Sequence, residues 1–451
     1  MKFYIKILLV ILITHIYLYS KEKDDLYQNP FWQDLKSILE NHPKIKVQIL
    51  NLSSKMEQYN YKKTFYPDPR FGITWSNVPY NKHLKFQYDK TPMSGIEYSL
   101  RQPIPFPGKL TLESKITEKE IELERIKLAE SYNKISQEIL NTLISYYTWK
   151  NIYNLTKNYY NKFKIITVSS KAKYTTGKGT LTDYSKAILL EKKIQEELIN
   201  YKGLMDNQKE NLNYFYSVIN NFNYNNDSYN EFILKYIEHL FNSLNKVKKE
   251  NLIYNTTYYN FAKLLPDLEK QKMDLQEYEY YPDFELFLSY RVREKVPNDP
   301  VSGEDFMSAG ISFRIPLWSS FSNPAAIKSK EYNLQKSQYN LKNIELNLNT
   351  KLSELQIDIK TLQDRIYHYK NILIPQAELS YNSGLQNYTV GKIDFDGLSL
   401  ILLDLLKLEK EYYLLKKEYY NKLIQYLELS NHILPEIIKT KSQKENHYEN
   451  E

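Results

Sequence analysis

Between residues 93 and 101 apolar and polar side chains alternate. Ile96, Tyr98 and Leu100 fall on one face of an extended chain, and Glu97, Ser99 and Arg101 on the other. The same alternation marks 71–78, 284–293 and 306–317. Phe284, Leu286, Leu288, Tyr290 and Val292 oppose Glu285, Ser289, Arg291 and Arg293, while Ile311, Phe313 and Ile315 oppose Gly310, Ser312 and Arg314. A period of two predicts four strands, each apolar on one side and wet on the other. Elsewhere the period lengthens. Residues 110–174 contain neither proline nor glycine, which predicts an unbroken helix of roughly 100 Å at about 1.5 Å per residue. Residues 325–388 predict a second long helix, interrupted by Pro375 and Gly384. Its apolar positions (Leu341, Ile344, Leu348, Leu352, Leu355, Ile359, Leu362, Ile366, Tyr369 and Leu373) step by three or four, the mark of a coiled-coil-like seam. After each long helix comes a glycine-containing turn, 175–180 and 389–397, and then a returning helix, 183–216 and 398–429.

The segment "GIEYSLRQPIPFPGKL" (95–110) joins a strand to a long helix. Pro103, Pro105 and Pro107 neither donate ladder hydrogen bonds nor continue a helix, so they are expected to end the strand and set a corner, with Gly108 admitting the turn. A second corner is expected in "RIPLWSSFSNPAA", at Pro316 and Pro324. The order of elements is written twice. "YPDPRFGITW" (66–75) returns as "YPDFELFLSY" (281–290), "MSGIEYSL" (93–100) as "MSAGISFRI" (307–315), and "YTTGK" (174–178) as "YTVGK" (388–392). Near-constant spacing predicts a duplicated unit, one copy over 30–220 and the other over 245–430. A polar linker at 221–244 separates them, and a polar tail, expected to be disordered, occupies 431–451.

Composition narrows the function. "MKFYIKILLVILITHIYLYS" has a basic start and a short apolar run, which predicts export through a signal peptide over 1–20, with an uncleaved anchor as the alternative because only Ser20 marks a cleavage site. The chain lacks cysteine, and its seven histidines are scattered with no pair at ligand spacing, which argues against thiolate or imidazole metal sites. The net charge of +7 is spread over 61 basic and 54 acidic residues, a solvated surface rather than a nucleic-acid footprint. Neither a P-loop, a G-x-S-x-G elbow nor an H-E-x-x-H helix occurs, so no enzyme and no cofactor is expected. Tyrosine is abundant, 43 residues, which suits membrane interfaces and helix seams and also follows from biased codon usage. Locally, a soluble sheet packed on a helix and a membrane sheet read alike. Placed in a bilayer, four strands leave two open edges and are too few to close a barrel, so several chains must pool them.

The duplicated order of elements, "GIEYSLRQPIPFPGKL" between strand and helix, and Y-x-x-G at both tips resemble the TolC-like outer-membrane efflux proteins, across essentially the whole mature chain. "PFPGK" with "GIEY" looks most like members associated with heavy-metal or resistance-nodulation-division efflux. The resemblance implies an α+β membrane protein: a homotrimer whose three chains each give four strands to a twelve-stranded barrel in outer-membrane lipid, with long helices forming a periplasmic α-barrel tunnel. It implies a passive exit duct of a tripartite efflux system, partnered by a periplasmic adaptor and a resistance-nodulation-division inner-membrane pump. The family's tip lock maps onto Asp183 and Tyr388. The family's arginine falls at Ile393, leaving adjacent Lys392 to supply the charge. Asp394 and Asp396 would form carboxylate rings in a trimer, or stand simply as acids near a helix N-terminus. Asp183 equally reads as the start of the returning helix beside Thr182. Tyr174, Thr176, Gly177, Val390 and Gly391 are the residues expected to meet the adaptor, unless they only build the turns. Two other readings stay open: the exit channel of a type I protein-secretion system, and a non-transporting periplasmic coiled-coil scaffold.

Overall fold

A computed structural model describes residues 30–64, 66–78, 91, 93–217, 227–297 and 299–434. The expected signal peptide 1–20, the connection 79–90, the start of the expected linker (221–226) and the tail from 435 onward lie outside the described residues. The chain divides into two compact units. One comprises residues 1–48, 128–259 and 344–451, and the other 49–127 and 260–343, so each draws on both expected copies.

The second unit holds the sheet. Strands β1 (Arg70–Ser76), β2 (Gly95–Ile104), β3 (Phe284–Arg293) and β4 (Phe306–Phe313) form one antiparallel sheet in the order β1-β2-β3-β4. The register aligns apolar side chains into rows: Trp75, Ile96 and Val292; Ile73, Tyr98, Tyr290 and Met307; Phe71, Leu100 and Leu288. These rows make one face, and it stays open in the single chain, with Phe71 67% and Met307 71% exposed. The opposite face is polar and cross-linked by charge. Arg291 donates to Glu97 directly opposite at 2.6 Å, and Arg101 lies 3.5 Å from Glu285. Gly310 makes room there for the Phe287 ring, since a Cβ at this position would stand 2.6 Å from it. Among the described residues the outer edges of β1 and β4 have no partner strand.

The strand ends differ from expectation. β1 stops at Ser76 because Asn77 takes a positive φ of 54° and its side chain donates to the Met93 carbonyl. β2 continues to Ile104, so Pro103 does not end it; Pro103 pairs with Glu285. Arg101 is the last β2 residue paired to β1, so at Pro103 the strand has a neighbour on one side only, and a missing N–H there costs no ladder bond on the vacant side. The turn follows at Pro105–Gly108, where Gly108 has φ +95° and a Cβ would sit 2.9 Å from the Tyr278 hydroxyl. Asp283 accepts from the Phe106 N–H at 2.9 Å, Phe106 stacks on Tyr281, and the Lys109 ammonium meets Glu279 at 2.7 Å. Helix α3 (Lys109–Thr175) starts immediately after this corner. The second corner lies wholly at Ile315–Trp318. The helix following it begins at Ser319, so Pro324 lies inside the helix and takes no part in the turn. Most of helices α2 (Pro43–Thr64) and α7 (Thr257–Glu277) also lies in this unit; Lys55 of α2 meets Glu120 at 2.9 Å, and Leu268 of α7 packs with Ile116 and Leu123.

The first unit is helical. Its α3 segment returns through α4 (Leu181–Tyr216), antiparallel: Trp149 stacks on Tyr201, Thr167 reaches the Ala187 carbonyl, and Tyr174 stacks on Tyr184. The second hairpin comprises α8 (Ser319–His368), a π-helical turn (Tyr369–Leu373), α9 (Ile374–Thr389) and α10 (Phe395–Leu429). Pro375 lacks an N–H and its ring crowds the preceding turn, and the π turn just ahead of it absorbs both effects. The expected seam is buried from Leu348 to Leu362, and Lys422 of α10 meets Asp358 at 2.7 Å while Tyr369 donates to Glu411 at 2.6 Å. Gly384 is needed for close packing, a Cβ there falling 2.9 Å from Ile401. Part of the expected linker is helical: α5 (Asp227–Leu244) buries Ile233, Tyr236, Ile237, Phe241 and Leu244 along one stripe. It packs on α1 (Pro30–Asn41) through Trp32 and Tyr236, 4.5 Å apart; α6 (Lys249–Asn255) precedes α7. Among the described residues no helix is long and apolar enough to cross a membrane.

Candidate functional site: the two helical tips

Two turns close the helical hairpins, and they are built from the same hydrogen bonds. At the first, Lys178 N–H donates to the Lys173 carbonyl at 2.8 Å and Gly177 N–H to Tyr174 at 3.0 Å. At the second, Lys392 N–H donates to Asn387 at 2.8 Å and Gly391 N–H to Tyr388 at 3.2 Å. Gly177 and Gly391 carry φ of +72° and +78°, the left-handed cap that only glycine adopts at little cost. A Cβ on either would meet nothing within 4 Å, so conformation alone requires glycine.

The helices that leave the turns are capped by side chains. Thr180 is the N-cap of α4: its hydroxyl accepts from Asp183 N–H at 3.0 Å, and the Asp183 carboxylate accepts from Thr180 N–H at 3.4 Å. Asp183 is therefore the distal half of a capping box. Asp394 caps α10 by accepting from Gly397 N–H at 2.8 Å. Asp396 lies in the first turn of that helix and pairs with Lys186 of α4, joining the starts of the two returning helices. This partner holds the Lys186 ammonium above the usual lysine value, and Asp183 and Asp394 add to the field.

Asp183 and Tyr388 do not meet in the single chain. Tyr388 is buried, with its hydroxyl 3.4 Å from Ser170 Oγ. The Lys173 ammonium lies 3.5 Å above its ring and donates to its carbonyl at 3.4 Å. Lys392 is exposed and makes no ion pair with a described residue. Tyr174 and Val390 are exposed, as is Thr176, whose hydroxyl donates to the Ala172 carbonyl at 2.9 Å. Beneath the turns Phe163, Ile166, Ala187, Ile194, Tyr388, Phe395, Leu398 and Leu402 share one core, so all four helix ends are packed together. Lys173 and Lys186 escaped the sequence reading. Each stands close to a residue that was singled out, but its partner lies about 210 positions away and no local pattern marks it.

No protein-family model matches the sequence, and no curated protein does. Solved structures do match. The chain superposes on the outer membrane protein VceC of Vibrio cholerae with a TM-score of 0.70 and 13% identity, over 88% of this chain and 95% of that one. It superposes on the Campylobacter jejuni CmeC outer membrane channel with a TM-score of 0.72 and 11% identity, over 94% and 90% of the two chains. The fold is that of these outer-membrane channels. The open state of the Neisseria gonorrhoeae MtrE outer membrane channel also matches, with a TM-score of 0.57 and 10% identity over 89% and 87%. The match spans nearly the whole of each chain.

Proposed function

We propose that this chain is the outer-membrane duct of a tripartite efflux system, a passive exit for substrates delivered by an inner-membrane pump through a periplasmic adaptor. The observation that carries the reading is the sheet: an open apolar face, a charged opposite face and two edges that no described strand covers. Lipid satisfies the apolar face, a water-filled lumen the polar one, and neighbouring copies the edges. Three copies give twelve strands. The near-identical hydrogen-bonding of the two tips, 214 residues apart, supports an internal duplication. The exposed turns, with Tyr174, Thr176, Gly177, Val390 and Gly391, are the surface offered to the adaptor. Asp183, Tyr388, Asp394 and Asp396 all have partners within their own chain, whereas Lys392 makes no ion pair with a described residue, so closure between copies at the periplasmic end rests first on Lys392, with the acids contributing through the oxygens their own contacts leave free. Transport energy enters at the pump, and the duct itself needs neither a catalytic group nor a cofactor.

The natural lack of cysteine makes the test clean. Cysteine pairs introduced one per edge, along β1 and β4, should form disulfide-linked species of two and three chains in membranes and none larger. The detergent-purified protein should conduct in planar bilayers. A protein that is extracted without detergent, stays monomeric and gives no conductance would overturn the reading in favour of a periplasmic scaffold.

A further inference from the structure

Away from the tips, α3, α5 and α10 border a partly open cavity of about 50 Å³ whose lining is part apolar, from Ile144 and Leu234, and part polar, including Asn151 of α3, Asn230 of α5, and Tyr413, Lys416 and Lys417 of α10. Two lysines on one small cavity call for nearby negative charge, and the chain supplies little. Lys416 lies 5.7 Å above the Tyr412 ring and Lys417 5.0 Å above the Trp149 ring, and neither has an ion-pair partner among the described residues. A ring face eases the charge of an ammonium but accepts few of its three N–H groups, which still call for oxygen. Burial depresses both ammonium groups. At Lys416 the Glu238 carboxylate opposes that effect and the Lys370 ammonium adds to it. Glu238 is itself committed to the Tyr420 hydroxyl at 2.7 Å. Two lysines thus line the cavity, while the Lys370 ammonium and the Glu238 carboxylate act on Lys416 with opposite sign.

We propose that this cavity binds a tetrahedral oxyanion: phosphate, either free or as the terminal group of a phosphomonoester. The polar residues that line the cavity come from three helices: Lys416, Lys417 and Tyr413 of α10, Asn151 of α3 and Asn230 of α5. That arrangement suits four acceptor oxygens spread over a tetrahedron better than the two of a planar carboxylate. A bound oxyanion ties α5 to the α3–α10 pair and supplies the missing charge. The site is separate from the proposed duct function, and its failure would leave that reading intact.

The test is a thermal-shift titration of the purified full chain with inorganic phosphate, at ionic strength held constant with sodium chloride, beside a matched titration with glycerol 3-phosphate. Phosphate should raise the melting temperature saturably. Lys416→Gln should weaken its apparent affinity about tenfold or more, the usual size for losing one charge-assisted contact. A response to glycerol 3-phosphate equal to that for phosphate identifies a phosphomonoester end as the ligand, and a response to phosphate alone identifies the free ion. An equal shift in wild type and Lys416→Gln, or a shift that chloride reproduces, would overturn the site. Should Lys416→Gln fail to fold, Asn230→Leu removes a donor from another helix and is read the same way. Calorimetric titration of the wild type with phosphate decides independently, since absence of saturable heat also overturns it.

Discussion

Replacing the same residue type at three positions separates backbone conformation from packing in the helical hairpins. Gly177 and Gly391 have positive φ and Gly203, within α4, does not, yet a Cβ at any of the three would meet nothing within 4 Å. Alanine therefore adds no clash anywhere, and only the left-handed conformation distinguishes the sites. Holding a Cβ-bearing residue left-handed costs about 1–2 kcal/mol, and the lost freedom of the unfolded chain returns about 0.4–1 kcal/mol. Gly177→Ala and Gly391→Ala should each destabilise their turn by about 1 kcal/mol, whereas Gly203→Ala should stabilise its helix by about 0.5–1 kcal/mol. Asparagine tolerates the left-handed region, so Gly177→Asn should recover most of the loss. Native-state hydrogen exchange reads this locally, at the Lys178 and Lys392 amides whose 2.8 Å hydrogen bonds close the turns. Exchange at Lys178 should quicken about fivefold in Gly177→Ala, with Lys392 unchanged, and the converse in Gly391→Ala. Equal effects of alanine at 177 and 203, or no difference between alanine and asparagine at 177, would refute the reasoning.

Two further outcomes follow from caps and buried charge. Thr180→Ala should destabilise the start of α4 by about 1 kcal/mol, and in combination with Asp183→Ala the losses should be less than additive, because both remove one capping box. Strict additivity, measured by exchange of the α4 amides, would mean that Asp183 acts elsewhere. Burial raises the Glu428 carboxyl, a shift the Tyr258 hydroxyl and Lys134 oppose and Glu130 reinforces. Its native value thus lies above the unfolded one, so the native state holds this proton more tightly. The resulting stabilisation is fully present below the unfolded value and fades as pH rises through the native value. Glu428→Gln, still able to accept from Tyr258, should gain stability relative to wild type on going from pH 4.5 to pH 8; parallel denaturation midpoints at the two pH values would refute it.

What the sequence reveals and conceals divides by range. Strand faces are legible because period two is local: Ile96, Tyr98 and Leu100 needed no partner to declare a side, and the register later placed them beside Val292, Tyr290 and Leu288. The tips are legible because a positive φ selects glycine at one residue. Boundaries blur where a side chain completes the structure. Asn77 ends β1 through a bond to Met93, and Thr180 rather than Thr182 caps α4. The polar, asparagine-rich approach to α5 obscured a stripe from Ile233 to Leu244 that only burial against α1 makes plain. Partners across helices leave no local mark at all. A helix turns about 100° per residue, so over the sixty residues before a tip small departures from ideal winding accumulate, and the side that Lys173 shows to Tyr388 cannot be counted from the corner. Asp183 shows the consequence most sharply. Its residue type and its place after the glycine suit a cap and a lock equally, and the two roles differ only in which N–H its carboxylate reaches. Within one chain that N–H belongs to Thr180. Any contact to a neighbouring copy must then be made by the carboxylate oxygen the cap leaves free, which Asp183→Asn would alter while preserving an acceptor for the helix.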